Sequence, residues 1–128
     1  MTKNLEIYKC NKCGNIVAIN HNGTENLFCC DEPMKLIESN TTEASTEKHI
    51  PILSKIGENK YNVFVGEIEH PMTQEHYIEW IEVLTEQNSR LTFFLKPNDK
   101  PEVNFLTAEK IVEVKAYCNL HGLWSKKI

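Results

Sequence analysis

The stretch SNTTEASTE, residues 39 to 47, is polar, holds a single alanine and shows no hydrophobic period. Read as a linker, it decides the architecture. It divides the chain into a short cysteine-rich segment, residues 1–38, and a longer segment, residues 48–128, of β-branched and aromatic runs.

Outward from that point, both flanks read as β structure. Before the linker, LEIYKC, NIVAIN and the segment around PMKLI are short strand-type runs, and NHNG at residues 20 to 23 supplies a turn. After it come KYNVFVGEI, HYIEWIEVLT, RLTFFLKP and KIVEVKAYC, punctuated by turn chemistry such as KPNDKP at 96 to 101. HYIEWIEVLT has the length of a short helix, but its Ile, Val, Tyr and Trp content favours a strand. An all-β protein is expected, with an antiparallel sandwich in the longer segment.

Composition narrows the function. A length of 128 residues fits one domain with a small appendage, and 41% hydrophobic with 25% charged residues describes a globular protein. The formal charge of −4, with Lys and Arg scattered singly, offers no basic surface for a phosphate backbone, so nucleic acid is not an expected partner. No apolar run is long enough to cross a bilayer, and MTKNLEIYKC lacks the apolar core of a signal peptide, which places the expected location in the cytoplasm. In that reducing compartment five cysteines read as metal ligands or redox groups before they read as disulfides.

Four of those cysteines lie in the short segment. About 38 residues bury too little apolar surface to offset their chain entropy, so a staple is needed. Cys10 and Cys13 form CNKC, a spacing that turns two thiolates toward one ion, and Cys29 and Cys30 supply a second pair. The second pair is adjacent, and neighbouring side chains on a strand point to opposite faces, so the backbone must bend there and a distorted tetrahedron is expected. Zinc, iron and a redox dithiol all fit this spacing.

The fifth cysteine, Cys118, stands in YCNLHGLW at 117 to 124, three positions before His121. His49 in EKHIP, and His70 and His76 in HPMTQEH, complete the candidates, while His21 in the NHNG turn reads as solvated. Each of the four histidines alone is more simply a surface or hydrogen-bonded residue. Together with one cysteine in a small β domain they point to a metal. Three ligands suit catalytic zinc and four a closed structural site, whereas four nitrogens and a sulfur suit iron better. Four imidazoles in a plane with a thiolate beneath would leave the opposite face open to a small ligand. A blue-copper site would call for a methionine after the second histidine, and GLWSKKI has none.

CNKC with CC, then EKHIP, HPMTQEHYIEW and CNLHGLW, in that order over nearly the whole chain, resemble desulfoferrodoxin, the two-iron form of superoxide reductase. The resemblance implies a desulforedoxin-like domain over residues 1–38 with iron on Cys10, Cys13, Cys29 and Cys30. It implies an immunoglobulin-like sandwich over residues 48–128 with a second iron on His49, His70, His76, His121 and Cys118, the last as axial sulfur. The activity implied is one-electron, inner-sphere reduction of superoxide to hydrogen peroxide at the ferrous centre, with re-reduction by rubredoxin or a similar small protein. A homodimer is implied as well. Glu47 and Lys48, which read alone as a solvated charge pair, take from the resemblance a place at the open iron face, the lysine attracting superoxide and the glutamate filling the sixth position after oxidation. The alternatives on the same residues are an electron-transfer protein with both irons coordinatively closed, and a zinc-stabilised binding module.

Overall fold

The computed structural model describes residues 1–42 and 49–128; residues 43–48, which include Glu47 and Lys48, lie outside the described residues. The chain divides into two compact units, Met1–Glu38 and Ser39–Ile128. Among the described residues all regular structure is strand, and no helix is long and apolar enough to cross a membrane.

The first unit holds β1 (Ile7–Lys9), β2 (Ile16–Ala18), β3 (Phe28–Cys29), β4 (Glu32–Pro33) and β5 (Lys35–Ile37). An antiparallel sheet runs in the order β2-β1-β5, and β3 pairs with β4 in a separate hairpin. Only Ile7, Ile19 and Cys10 among its apolar residues are buried, with Thr2. That is the poor core the length of this segment predicts, and two-residue strands cannot hold themselves in place.

The second unit holds β6 (Pro51–Gly57), β7 (Lys60–Val65), β8 (Ile78–Thr85), β9 (Arg90–Phe94), β10 (Glu102–Leu106), β11 (Ile111–Cys118) and β12 (Gly122–Lys127). Two antiparallel sheets, β10-β7-β6 and β12-β11-β8-β9, make the sandwich the sequence predicts. Within HYIEWIEVLT, Ile78–Thr85 form a strand, as their β-branched content favours. PILSKIG, EVNFL and GLWSKK are strands that the sequence reading did not mark out. Each is short and carries turn-forming or charged residues, so periodicity alone gives little signal.

Alternation explains the core. Val63 and Val65 on β7 meet Ile78, Ile81 and Val83 on β8 and Val114 and Ala116 on β11, all fully buried. Each such aliphatic side chain contributes about 1.5–3 kcal/mol on burial. Ile78 and Ile81 are an odd number of residues apart yet both face inward, because Glu79 is an extra residue: Tyr117 pairs with Trp80, but Cys118 pairs with Ile78. This bulge bends β8 opposite the end of β11, where Cys118 closes the row of core residues. Asn40, inside the stretch read as a linker, runs parallel to β12, with its N–H on the Leu123 carbonyl at 2.8 Å and its own carbonyl accepting Ser125 N–H at 3.0 Å.

Candidate metal centres

The first centre begins with backbone hydrogen bonds that CNKC makes with itself. Gly14 N–H donates to the Cys10 carbonyl at 3.0 Å, and Cys13 N–H points at Cys10 Sγ at 3.5 Å. Gly14 takes φ +85, a left-handed conformation that costs glycine nothing, and this closes the turn so that both thiols face the same side. The opposing pair sits on the β3–β4 hairpin. Cys29 pairs with Glu32, leaving Cys30 and Asp31 as a two-residue loop with φ +52 and +62, the type I′ pattern. The left-handed turn at Cys30 is the bend that adjacent cysteines demand, and it swings the second thiol round beside the first.

The result is four sulfurs mutually within 4.8 Å. Sulfurs held about 2.3 Å from one ion in a tetrahedron lie roughly 3.8 Å apart. Cys13 and Cys29 are 3.6 Å apart and Cys29 and Cys30 3.9 Å, so on these edges the spacing is regular and the twist is carried by the backbone. The electrostatics also call for a cation. Hydrogen bonding from the Cys13 backbone N–H holds the Cys10 thiol down to about 6, whereas contacts with Cys13 and then Cys10 push Cys30 up to about 12 and raise Cys29 as well. Four thiolates this close repel one another unless a positive ion lies among them.

The second centre is built from three loops and a strand end. His49 immediately precedes β6; His70 and His76 lie on the β7–β8 connection; Cys118 ends β11 and His121 precedes β12. Their rings form a closed cycle. Centroid separations are 4.8 Å for His49–His70, 4.8 Å for His70–His76, 5.0 Å for His76–His121 and 5.0 Å for His49–His121, each pair edge to face at 63° to 84°. Four imidazoles at the corners of a quadrilateral, each turned against its neighbours, could present their nitrogens to one ion.

Distances support convergence on one ion. Ligand atoms of His49, His70, His76 and Cys118 lie within 4.8 Å of one another. His121 joins them with Nδ1 3.2 Å from His49 Nε2 and 3.9 Å from Cys118 Sγ. Metal–nitrogen bonds of about 2.1 Å would set neighbouring nitrogens roughly 3.0 Å apart at right angles. His70 Nδ1 lies 2.7 Å from the Pro71 carbonyl, which can only accept, so Nδ1 carries the proton and Nε2 keeps its lone pair for a metal. Imidazole nitrogens with one thiolate are a donor set for iron, copper or zinc, and the residues fit such an ion. His49, His70 and Cys118 are buried, His76 is half-buried and His121 is exposed, so the cluster reaches solvent along one edge.

All nine cysteine and histidine positions singled out from the sequence thus gather into two clusters. His21 is exposed and outside both, consistent with a solvated turn residue. Glu47 and Lys48 lie outside the described residues. Two residues that hold the second cluster escaped the sequence reading. Trp124 stacks on His49 at 4.6 Å and 14°, and its Nε1–H donates to the His121 carbonyl at 3.1 Å. Asn119 bonds to both peptide neighbours of His76. Only their nearness to CNLH hinted at either.

Comparison with known proteins agrees with this geometry. The desulfoferrodoxin family matches residues 41–127, and the desulfoferrodoxin N-terminal domain matches residues 2–37. Desulfoferrodoxin from Nitratidesulfovibrio vulgaris is 48% identical over 125 residues, covering 97% of each chain. A desulfoferrodoxin homolog from Archaeoglobus fulgidus is 47% identical over 124 residues, 97% of this chain and 98% of that one. The crystal structure of the superoxide reductase from Treponema pallidum superposes with a TM-score of 0.75 at 29% identity, over 98% of this chain and all of that one.

Proposed function

The chain belongs to the desulfoferrodoxin family, and from that premise we propose that it reduces superoxide by one electron to hydrogen peroxide, using a reductant from outside the chain. It is an oxidoreductase of the superoxide reductase class, with two irons, one for each cluster. The observation that carries the reading is the closed cycle of four imidazoles joined by Cys118 and reaching solvent along the His76–His121 edge. Iron held by His49, His70, His76, His121 and Cys118 would supply the electron and would bind a small anion, the chemistry that sets this reading apart from a closed electron-transfer centre.

The chain's own groups divide the remaining work. Four neutral imidazoles would add no charge, so Cys118 as thiolate would be the anionic donor among these five and would raise electron density on the ion they hold. Burial of Cys118 at the end of the core excludes water from the sulfur and keeps that donation undiluted. Lys48 would attract the anion to a protein of net negative charge, and Glu47 would offer a carboxylate to the iron after oxidation. Water reaching the exposed His121 edge supplies the protons. Residues 1–38 form the cysteine-bound iron domain, residues 39–47 the linker and residues 48–128 the catalytic domain; a rubredoxin-like protein is the donor, and the enzyme works as a cytoplasmic homodimer.

Product stoichiometry tests this reading. The reduced protein mixed anaerobically with superoxide is expected to give one hydrogen peroxide per superoxide and no dioxygen. Dioxygen alongside half that peroxide would mean dismutation, and no reaction at all would leave a closed electron-transfer protein.

A further inference from the structure

We propose that Asn119 is the positioning residue that fixes His76 relative to Cys118, and so sets the geometry of the second iron centre. The inference rests on the reading that His49, His70, His76, His121 and Cys118 hold one ion.

Three hydrogen bonds carry it. Asn119 N–H donates to the Tyr77 carbonyl at 3.2 Å, Tyr77 N–H donates to Asn119 Oδ1 at 3.0 Å, and Asn119 Nδ2 donates to the Glu75 carbonyl at 3.0 Å. Residues 75 and 77 are the two neighbours of His76, so a single side chain grips the peptides on both sides of that ligand. Asn119 itself follows Cys118 directly and lies two residues before His121. Three of the five ligands therefore hang on one amide.

The sheet explains why an amide is needed. The β8–β11 ladder ends at the pair Cys118–Ile78. One step further an antiparallel ladder would continue through the backbone N–H and C=O of residue 119. Here the backbone N–H still donates, but the acceptor is the side-chain Oδ1, which stands in for the main-chain carbonyl. The main chain at 119 is thereby released to enter the three-residue loop that carries His121, which Gly122 closes at φ +86. A side-chain amide offers that acceptor together with a donor for a second carbonyl, and asparagine presents it one carbon closer to the backbone than glutamine; aspartate keeps the acceptor and loses the donor. Within its own loop His76 is held by Thr73, whose N–H and hydroxyl bond to the His76 carbonyl at 2.9 and 3.3 Å, whereas the Asn119 side chain ties the same loop to the end of β11.

The test uses the full-length two-iron protein, with the cysteine-bound iron as internal reference. In Asn119→Ala, the thiolate-to-iron charge-transfer band of the oxidised second centre should shift, and its iron should pass to a chelator about tenfold faster, the range typical of lost ligand-orienting partners. The bands of the cysteine-bound iron should not move. Asn119→Asp, which retains Oδ1, should restore part of the band position but not the slow release. A band and a release rate equal to wild type in both variants would overturn the proposal. Where Asn119→Ala loses both irons through misfolding, Asn119→Asp decides alone: a shifted band upholds the role and an unshifted one removes it. A wild-type protein showing no second iron band would instead refute the five-ligand centre itself.

Discussion

Replacing Trp124 by Phe separates the two ways in which that side chain braces the histidine–cysteine cluster. Phenylalanine keeps a ring against His49 but has no N–H for the His121 carbonyl, which lies 3.1 Å from the indole nitrogen. Loss of that hydrogen bond costs about 1 kcal/mol. The smaller ring also leaves roughly 40 Å² less apolar area buried, at about 25 cal/mol per Å² another 1 kcal/mol. Trp124 is 8% exposed, so little of this is recovered from solvent. A total near 2 kcal/mol in a unit of this size lowers Tm by roughly 10 °C. The substitution leaves Trp80 as the one tryptophan, and its fluorescence follows unfolding of the sandwich without interference. The same sample should release second-centre iron faster to a chelator while the cysteine-bound iron stays put. A Tm within a degree or two of wild type, with unchanged iron release, would show that the indole fills space and braces nothing.

Acid should strip the first centre steeply. The metal displaces thiol protons, and Cys29 and Cys30, both raised, hold theirs at neutral pH while Cys10, at about 6, does not. At least two protons therefore compete, affinity falls about 100-fold or more per pH unit as pH drops, and the slope steepens below about 6 when Cys10 also takes a proton; thiolate band intensity against pH measures it, and a slope of one proton or fewer would contradict the assigned protonation states. Lys48→Ala should slow the reaction with superoxide and flatten its dependence on ionic strength. Pulse-radiolysis rates that keep both their size and their salt slope would take Lys48 out of the reaction.

Much of this was legible because metal ligands must be particular residues. Cys10, Cys13, Cys29 and Cys30 announced themselves by spacing, and the adjacency of the last two required the bend that Cys30 and Asp31 make with positive φ. The loop type itself was hidden, since a type I′ turn usually advertises Asn-Gly and Cys-Asp does not. His49, His70, His76 and His121 were visible as candidates, but their closure into a cycle depends on which loops the sandwich brings to one end. β12 was overlooked because GLWSKK was read as the tail of a metal motif, although its pairing with β11 is what sets Trp124 against His49. Asn119 was invisible for a different reason: an asparagine in a turn usually serves its own backbone, and here it serves a segment more than forty residues away.

The convergence of Cys118 and four imidazoles on one ion is tested most directly by iron K-edge X-ray absorption on the full chain, wild type against Cys118→Ser. Five cysteine sulfurs shared between two irons average two and a half per iron. In the variant the average should become two if both irons remain, or four if only the cysteine-bound iron is kept. An average that stays at two and a half with both irons present would mean that the Cys118 sulfur never touched the metal.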